Sequence, residues 1–208
     1  MASATTHTRT ANVYLELLDW RRRVAELFAE LRRRPADAST LAWFRAAKDD
    51  LFRTHPQTPL AAHQRSAFAG LAYWPYDAAA RVVARFEAEE HAGSPSGTEV
   101  AFRRIGWLHF RYQGQALSLG AHWIEGYAGG LFVPFRDATA GSETYGGGRY
   151  VLDTIKSADL GSDVATGTVI LDFNYAYHPS CAYDPRWVCP LAPPENRLPI
   201  AVRAGEKL

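Results

Sequence analysis

Two segments in the C-terminal third carry the residue types that do chemistry. The first runs Phe135-Arg136-Asp137-Ala138-Thr139-Ala140-Gly141 and on to Thr144-Tyr145-Gly146-Gly147-Gly148-Arg149-Tyr150. The second runs from Leu171-Asp172-Phe173-Asn174 through Tyr177-His178-Pro179-Ser180-Cys181 to Cys189-Pro190 and Pro194-Glu195-Asn196. Ordinary turns carry Gly, Pro, Asp and Asn for backbone reasons. These segments add arginine, tyrosine, histidine, both cysteines and three carboxylates. Asp137, Asp172 and Glu195 are the candidate catalytic residues, a set suited to general acid–base work if the fold brings them together. Arg149 has a planar guanidinium that can grip a carboxylate or phosphate with two N–H groups, so it is the candidate anion anchor. Tyr145, Tyr150, Asn174, Tyr177, His178 and Asn196 complete the candidate ligand-binding set.

Each feature also has a purely structural reading. The run Gly146-Gly147-Gly148 permits positive φ and close backbone approach. It has neither the P-loop nor the dinucleotide-binding order of glycines. A tight hairpin or bulge would explain it equally, with Arg149 paired to Asp137 or Asp172 as a lock. Asp172 and Asn174 fall two apart in an expected strand, hence on one face. Pro190, Pro193 and Pro194 impose an extended path that either delivers Glu195 and Asn196 to a pocket or connects Leu198 and Ile200 to the sheet.

His178, Cys181 and Cys189 form H-x₂-C-x₇-C. Zinc thiolate sites normally pair cysteines more tightly and need a fourth ligand. His109 or His122 is available, but no spacing selects either, and no metal site is assigned. Unpaired thiols, a disulfide, a metal ligand pair and a nucleophilic cysteine all remain open. No Gly-x-Ser-x-Gly elbow or His-Glu-x-x-His motif occurs.

The surrounding elements must position these residues. Val13, Leu17, Trp20, Val24, Leu27 and Leu31 recur at spacings of four and three, predicting a helix capped by Asn12 and closed at Arg34-Pro35. Asp37 or Ser39 caps a second helix through Leu41, Phe44, Leu51 and Phe52, ending before His55-Pro56. The two form a helical hairpin over residues 10–55, packed on the sheet or serving a homodimer.

Beyond residue 60 the period becomes two. Strands are expected at 81–87, 100–105, 108–112, 116–119, 131–135, 149–152, 168–173 and 200–203, with a hairpin at Gln113-Gly114-Gln115 and a loop tip at 91–97. The fold class is therefore α+β: a mostly antiparallel β sandwich or partly open barrel with an N-terminal helical hairpin, in one domain of 208 residues.

The formal charge of +1 gives no electrostatic case for nucleic acid or an anionic membrane. The runs Arg21-Arg22-Arg23 and Arg32-Arg33-Arg34 read as solvated helix faces. No stretch reads as a signal peptide or membrane helix, and two cysteines do not make a disulfide scaffold, so the cytoplasm is expected. Six Trp, ten Phe and ten Tyr imply a large aromatic core or an aromatic-lined pocket.

The segments Phe132 to Thr139, Thr144 to Tyr150 and Leu171 to Glu206 resemble a bacterial and archaeal family catalogued as domain of unknown function 1684. Lys48-Asp49-Asp50-Leu51-Phe52 and Thr58-Pro59-Leu60 are similar to its N-terminal signature. The resemblance implies a β-rich domain and singles out the same two segments, without assigning roles. The functional expectation is a pocket for a small anionic ligand, with metal-independent hydrolysis or a related acid–base reaction if it is catalytic. A non-catalytic structural or interaction protein is the alternative. A flavin-binding barrel is another; no other cofactor is expected.

Overall fold

The computed structural model describes residues 3–89, 102–125 and 129–208, with side chains from residue 12 onward. The expected loop tip at 91–97 lies outside the described residues. Helix α1 spans Ser3–Leu31 and α2 spans Ala38–Thr54, followed by the short α3, Ala62–Arg65. Strands β1 (Arg81–Ala88), β2 (Phe102–Tyr112), β3 (Gln115–Ile124), β4 (Gly130–Phe135), β5 (Arg149–Asp153), β6 (Ser162–Asp163) and β7 (Thr168–Asp172) form one sheet ordered β5-β4-β3-β2-β1-β7-β6. Every pairing in it is antiparallel, and the sheet is a half-barrel.

Local chemistry accounts for the elements and for the departures from expectation. Helix α1 starts well before Asn12, because no Gly or Pro interrupts the chain ahead of Pro35. Asp37 is the true cap of α2, its carboxylate accepting from Thr40 N–H at 2.8 Å, and the helix stops one residue before His55-Pro56. Gln113 and Gly114 both take positive φ, the turn that matches strand twist in a two-residue hairpin. The two runs expected on either side of Gly106 are one strand, β2, with a bulge between Arg104 and Gly106. A Cβ at Gly106 would stand 2.2 Å from the Glu87 carbonyl, so this position must be glycine.

Two hydrophobic clusters result. The main one fills the concave face of the sheet, with Leu108, Leu119, Val133, Phe135, Leu171 and Phe173 meeting Leu198, Ile200, Val202 and Ala204 from the C-terminal segment. The smaller joins Phe28 and Leu31 of α1 and Leu41 and Phe44 of α2 to Ala158 and Tyr175. Leu31 is the most buried of the expected α1 stripe, whereas Val13 is 42% exposed.

Residues 200–203 are not a strand, although their side chains alternate as one: Leu198, Ile200, Val202 and Ala204 are buried while Pro199 and Arg203 are exposed. The reason is that the segment's backbone bonds largely to side chains instead of to a neighbouring ladder. Which side chains do this defines the site.

Candidate functional site

Arg149 is 0% exposed. Its Nη1 donates to the carbonyl oxygens of Ala204 and Glu206, and its Nη2 to Val202 O at 2.7 Å and Asp137 Oδ2 at 3.4 Å. Asp137 Oδ2 in turn accepts from Val202 N–H at 2.6 Å, and Thr139 Oγ1 donates to Asp137 Oδ1 at 2.8 Å. The guanidinium and carboxylate thus bond the Val202 N–H and the carbonyls of Val202, Ala204 and Glu206 as a neighbouring strand would, while Gly205 O and Glu206 N–H bond to the backbone of Trp74 and Ala176. The guanidinium of Arg149 lies 5.2 Å from the Trp74 ring and 5.0 Å from the Phe135 ring, within cation–π range, while its buried Nε has no hydrogen-bond partner among the described residues. Burial lowers the Arg149 pKa to about 10, still charged at neutral pH. Gly148 makes the turn into β5 possible: its φ is +94°, and a Cβ there would meet Phe135 O at 2.5 Å. Of the two readings of Arg149, the lock to Asp137 is the one this geometry fits, because no side of the group opens outward.

The two asparagines repeat the device. Asn196 Nδ2 donates to Pro134 O at 2.7 Å and Gly120 O at 3.0 Å, and its Oδ1 accepts from Gly120 N–H at 2.7 Å. The carboxamide sits where β3 and β4 have stopped pairing and where Pro134 has no N–H to offer. Asn174 Oδ1 accepts from Asp77 N–H at 2.9 Å and its Nδ2 donates to Asp77 O at 2.7 Å. Asn174 does not share a strand face with Asp172 as expected. Strand β7 ends at Asp172, which caps a 3₁₀ turn, Phe173–Tyr175, by accepting from Asn174 N–H at 3.0 Å.

A third network surrounds Glu206, which is 1% exposed. Its carboxylate pairs with Lys48 of α2 and accepts from His178 N–H at 2.7 Å and the Tyr183 hydroxyl at 2.6 Å. His178 Nε2 accepts from Tyr145 N–H at 3.3 Å, leaving Nδ1 3.6 Å from Glu206 Oε2. Burial drives the His178 pKa down to about 4, so the ring is neutral. Burial pushes the Glu206 carboxyl up, but Lys48 and His178 outweigh it and hold its pKa below the ordinary value. Tyr177 donates to Asp153 Oδ2 at 3.1 Å and lies under Lys48, whose Nζ is 4.8 Å from its ring. Tyr150 donates to Pro190 O at 2.5 Å. Nothing in the spacing of Glu206 or Tyr183 marks them; Lys48 stands in the expected second helix and in the resembling N-terminal signature, without a role in either.

The three candidate carboxylates do not converge. Asp137 holds the C-terminal segment, Asp172 binds Asn174 and lies 3.5 Å from Arg81, and Glu195 lies 3.5 Å from Arg104 and 3.6 Å from His122. The Asp172 carboxyl is raised by burial, against the pull of Asn174 and Arg81. Both cysteines are free thiols. Among the described residues, no three His, Cys, Asp or Glu side chains are grouped to hold a metal.

The open space lies elsewhere, on the outer face of the sheet. A groove of about 700 Å³ crosses β7, β1, β2 and β3 and is lined by Arg81, Arg85, Arg111, His109, Ser118 and Thr168, among others, with no carboxylate in its lining. The register sets its floor: Thr168 faces Arg85, Arg85 faces His109, and His109 faces Ser118, one row across four strands. Arg111 is two residues along β2 and therefore diagonal to Arg85, a neighbour at roughly 7–8 Å, still within reach of long side chains. Among the described residues no carboxylate lies within ion-pair distance of Arg85 or Arg111. Strand alternation alone marks these residues: Arg81, Val83 and Arg85 share one face of β1, as His109 and Arg111 share one face of β2.

Residues 66–207 match the family described as "Protein of unknown function (DUF1684)", and the chain belongs to that family. Its fold is similar to the solution NMR structure of an uncharacterized protein from Haloarcula marismortui, with 35% sequence identity and a TM-score of 0.61 over 82% of this chain and 93% of that one. No curated protein matches. No helix among the described residues is long and apolar enough to cross a membrane.

Proposed function

We propose that this DUF1684 family member is a binding protein for small anionic ligands, with the basic groove across β7, β1, β2 and β3 as its site. One observation carries the reading: Arg85 and Arg111 line an open groove with no carboxylate in its lining, while Arg81 and His109 beside them already face Asp172 at 3.5 Å and Glu87 at 3.3 Å. Arg85 and Arg111, set diagonally, suit two anionic groups on one ligand, and Ser118 and Thr168 add neutral hydroxyl donors. A diphosphate or a polycarboxylate has that chemistry. The side chains first expected to bind the anion, Arg149 foremost, hold the frame in this reading. It assigns no reaction to Asp137, Asp172 or Glu195.

Titration of the full chain with inorganic pyrophosphate and with citrate, followed by calorimetry, tests it. A charge-assisted hydrogen bond is worth about 1.5–3 kcal/mol, so Arg85→Ala and Arg111→Ala should each weaken binding about tenfold or more. Affinity should also fall as salt rises, because an open groove is screened. Binding that survives both substitutions unchanged, or absence of binding by either anion at millimolar concentration, rejects the reading.

A further inference from the structure

Cys181 and Cys189 take no part in the groove, yet they are placed together. Cys181 sits in the 3₁₀ turn Ser180–Ala182, and Cys189 in the extended segment that runs toward Asn196. The Cys181 N–H donates to Cys189 Sγ at 3.4 Å. The Cys181 sulfur is carried on the Cβ next to the Cα bonded to that same nitrogen, and the Cys189 side chain is near enough to interact with it directly. Both residues are partly exposed, within reach of a small reagent. Burial raises the Cys181 thiol pKa, while the Tyr145 hydroxyl, 3.8 Å from its sulfur, acts in the opposite sense and can stabilise a thiolate.

We propose that Cys181 and Cys189 form a reversible intramolecular disulfide by exchange with glutathione disulfide. One cysteine thiolate attacks a sulfur of glutathione disulfide, breaking its S–S bond and releasing one glutathione thiolate. The second cysteine thiolate then attacks the protein sulfur of the mixed disulfide and displaces the other glutathione. The protein thiols lose two electrons, glutathione disulfide gains them, and the two thiol protons end on the two released glutathiones. The bond closes the segment from Cys181 to Cys189, which carries Tyr183 to Glu206 and Trp187 to the Pro59 carbonyl at 3.2 Å. Oxidation therefore fastens the loop that brings Tyr183 to the Glu206 carboxylate.

The test uses the full folded chain, equilibrated across ratios of reduced to oxidised glutathione, quenched by alkylation and analysed by intact and peptide mass. The expected product is a monomer lacking two hydrogens, with a single crosslinked peptide containing Cys181 and Cys189. It should revert on reduction and melt at a higher temperature than the reduced chain, a difference absent in Cys189→Ser. Both thiols still open to alkylation at the most oxidising ratio would overturn the proposal. So would glutathione adducts without the crosslink, disulfides between chains only, or zinc uptake that Cys189→Ser abolishes.

Discussion

Arg149 illustrates how residue type can suggest one role and burial dictate another. A guanidinium beside tyrosines and glycines reads as an anion clamp. Here its acceptors are one aspartate, Asp137, and three neutral carbonyls of its own chain, those of Val202, Ala204 and Glu206. Removing one partner of a buried pair leaves the other charge uncompensated, typically at about 3–5 kcal/mol. Arg149→Ala should lose that much in urea unfolding with no ligand present. Arg149→Lys should be nearly as damaging, because an ammonium cannot bridge three carbonyls and Asp137 from one rigid plane. A variant within about 1 kcal/mol of the parent would show that the network contributes little; that threshold is the ordinary range of surface substitutions. Of the residues picked out by chemistry, the sequence revealed correctly that Asp137 and Arg149 could be partners. It could not reveal that Asn174 and Asn196 act as peptide surrogates, since this depends on where two strands part company.

The β elements were legible where side-chain alternation and backbone pairing coincide. Strands β1, β4, β5 and β7, together with the β2–β3 hairpin, follow from period-two patterning and turn residues. Over 200–203 alternation and pairing diverge, because alternation reports burial on one face and is blind to what the backbone bonds to. Short β6, only Ser162–Asp163, left no pattern to read. Both helices carry apolar stripes that locate them, but a candidate cap at Asn12 does not start α1, since nothing else interrupts the chain upstream.

The contact that joins these elements is Lys48 of α2 to Glu206 near the C-terminus, with His178 alongside, and it makes stability depend on pH. An unfolded histidine takes up a proton below about 6.5, whereas folded His178 does so only near 4. Between those values the unfolded state binds more protons, so stability present above pH 6.5 is lost as pH falls toward 4, by up to about 1.4 kcal/mol per pH unit. His122, also lowered by burial, acts in the same direction. Unfolding free energies measured from pH 7 to 4.5 should decline, and His178→Gln should flatten the slope. A slope unchanged by that substitution would remove His178 from the account.

At the scale of the whole molecule, the two sides of the sheet differ. The concave side of the half-barrel is filled by the C-terminal segment and sealed by Arg149, Asp137, Asn174 and Asn196. The outer side keeps an open floor with basic residues arranged by strand register. Net charge conceals this asymmetry: 23 basic against 22 acidic residues average to almost nothing, yet the groove lining contains arginine and no carboxylate. The direct test of this division is a chemical-shift titration of uniformly ¹⁵N-labelled protein with inorganic pyrophosphate. The account predicts dose-dependent shifts concentrated at Arg81–Arg85, His109–Arg111, Ala116–Ser118 and Thr168, with Tyr145–Tyr150, His178 and Val202–Glu206 nearly still. Shifts centred on Arg149 and its C-terminal partners, with the groove unmoved, would contradict it.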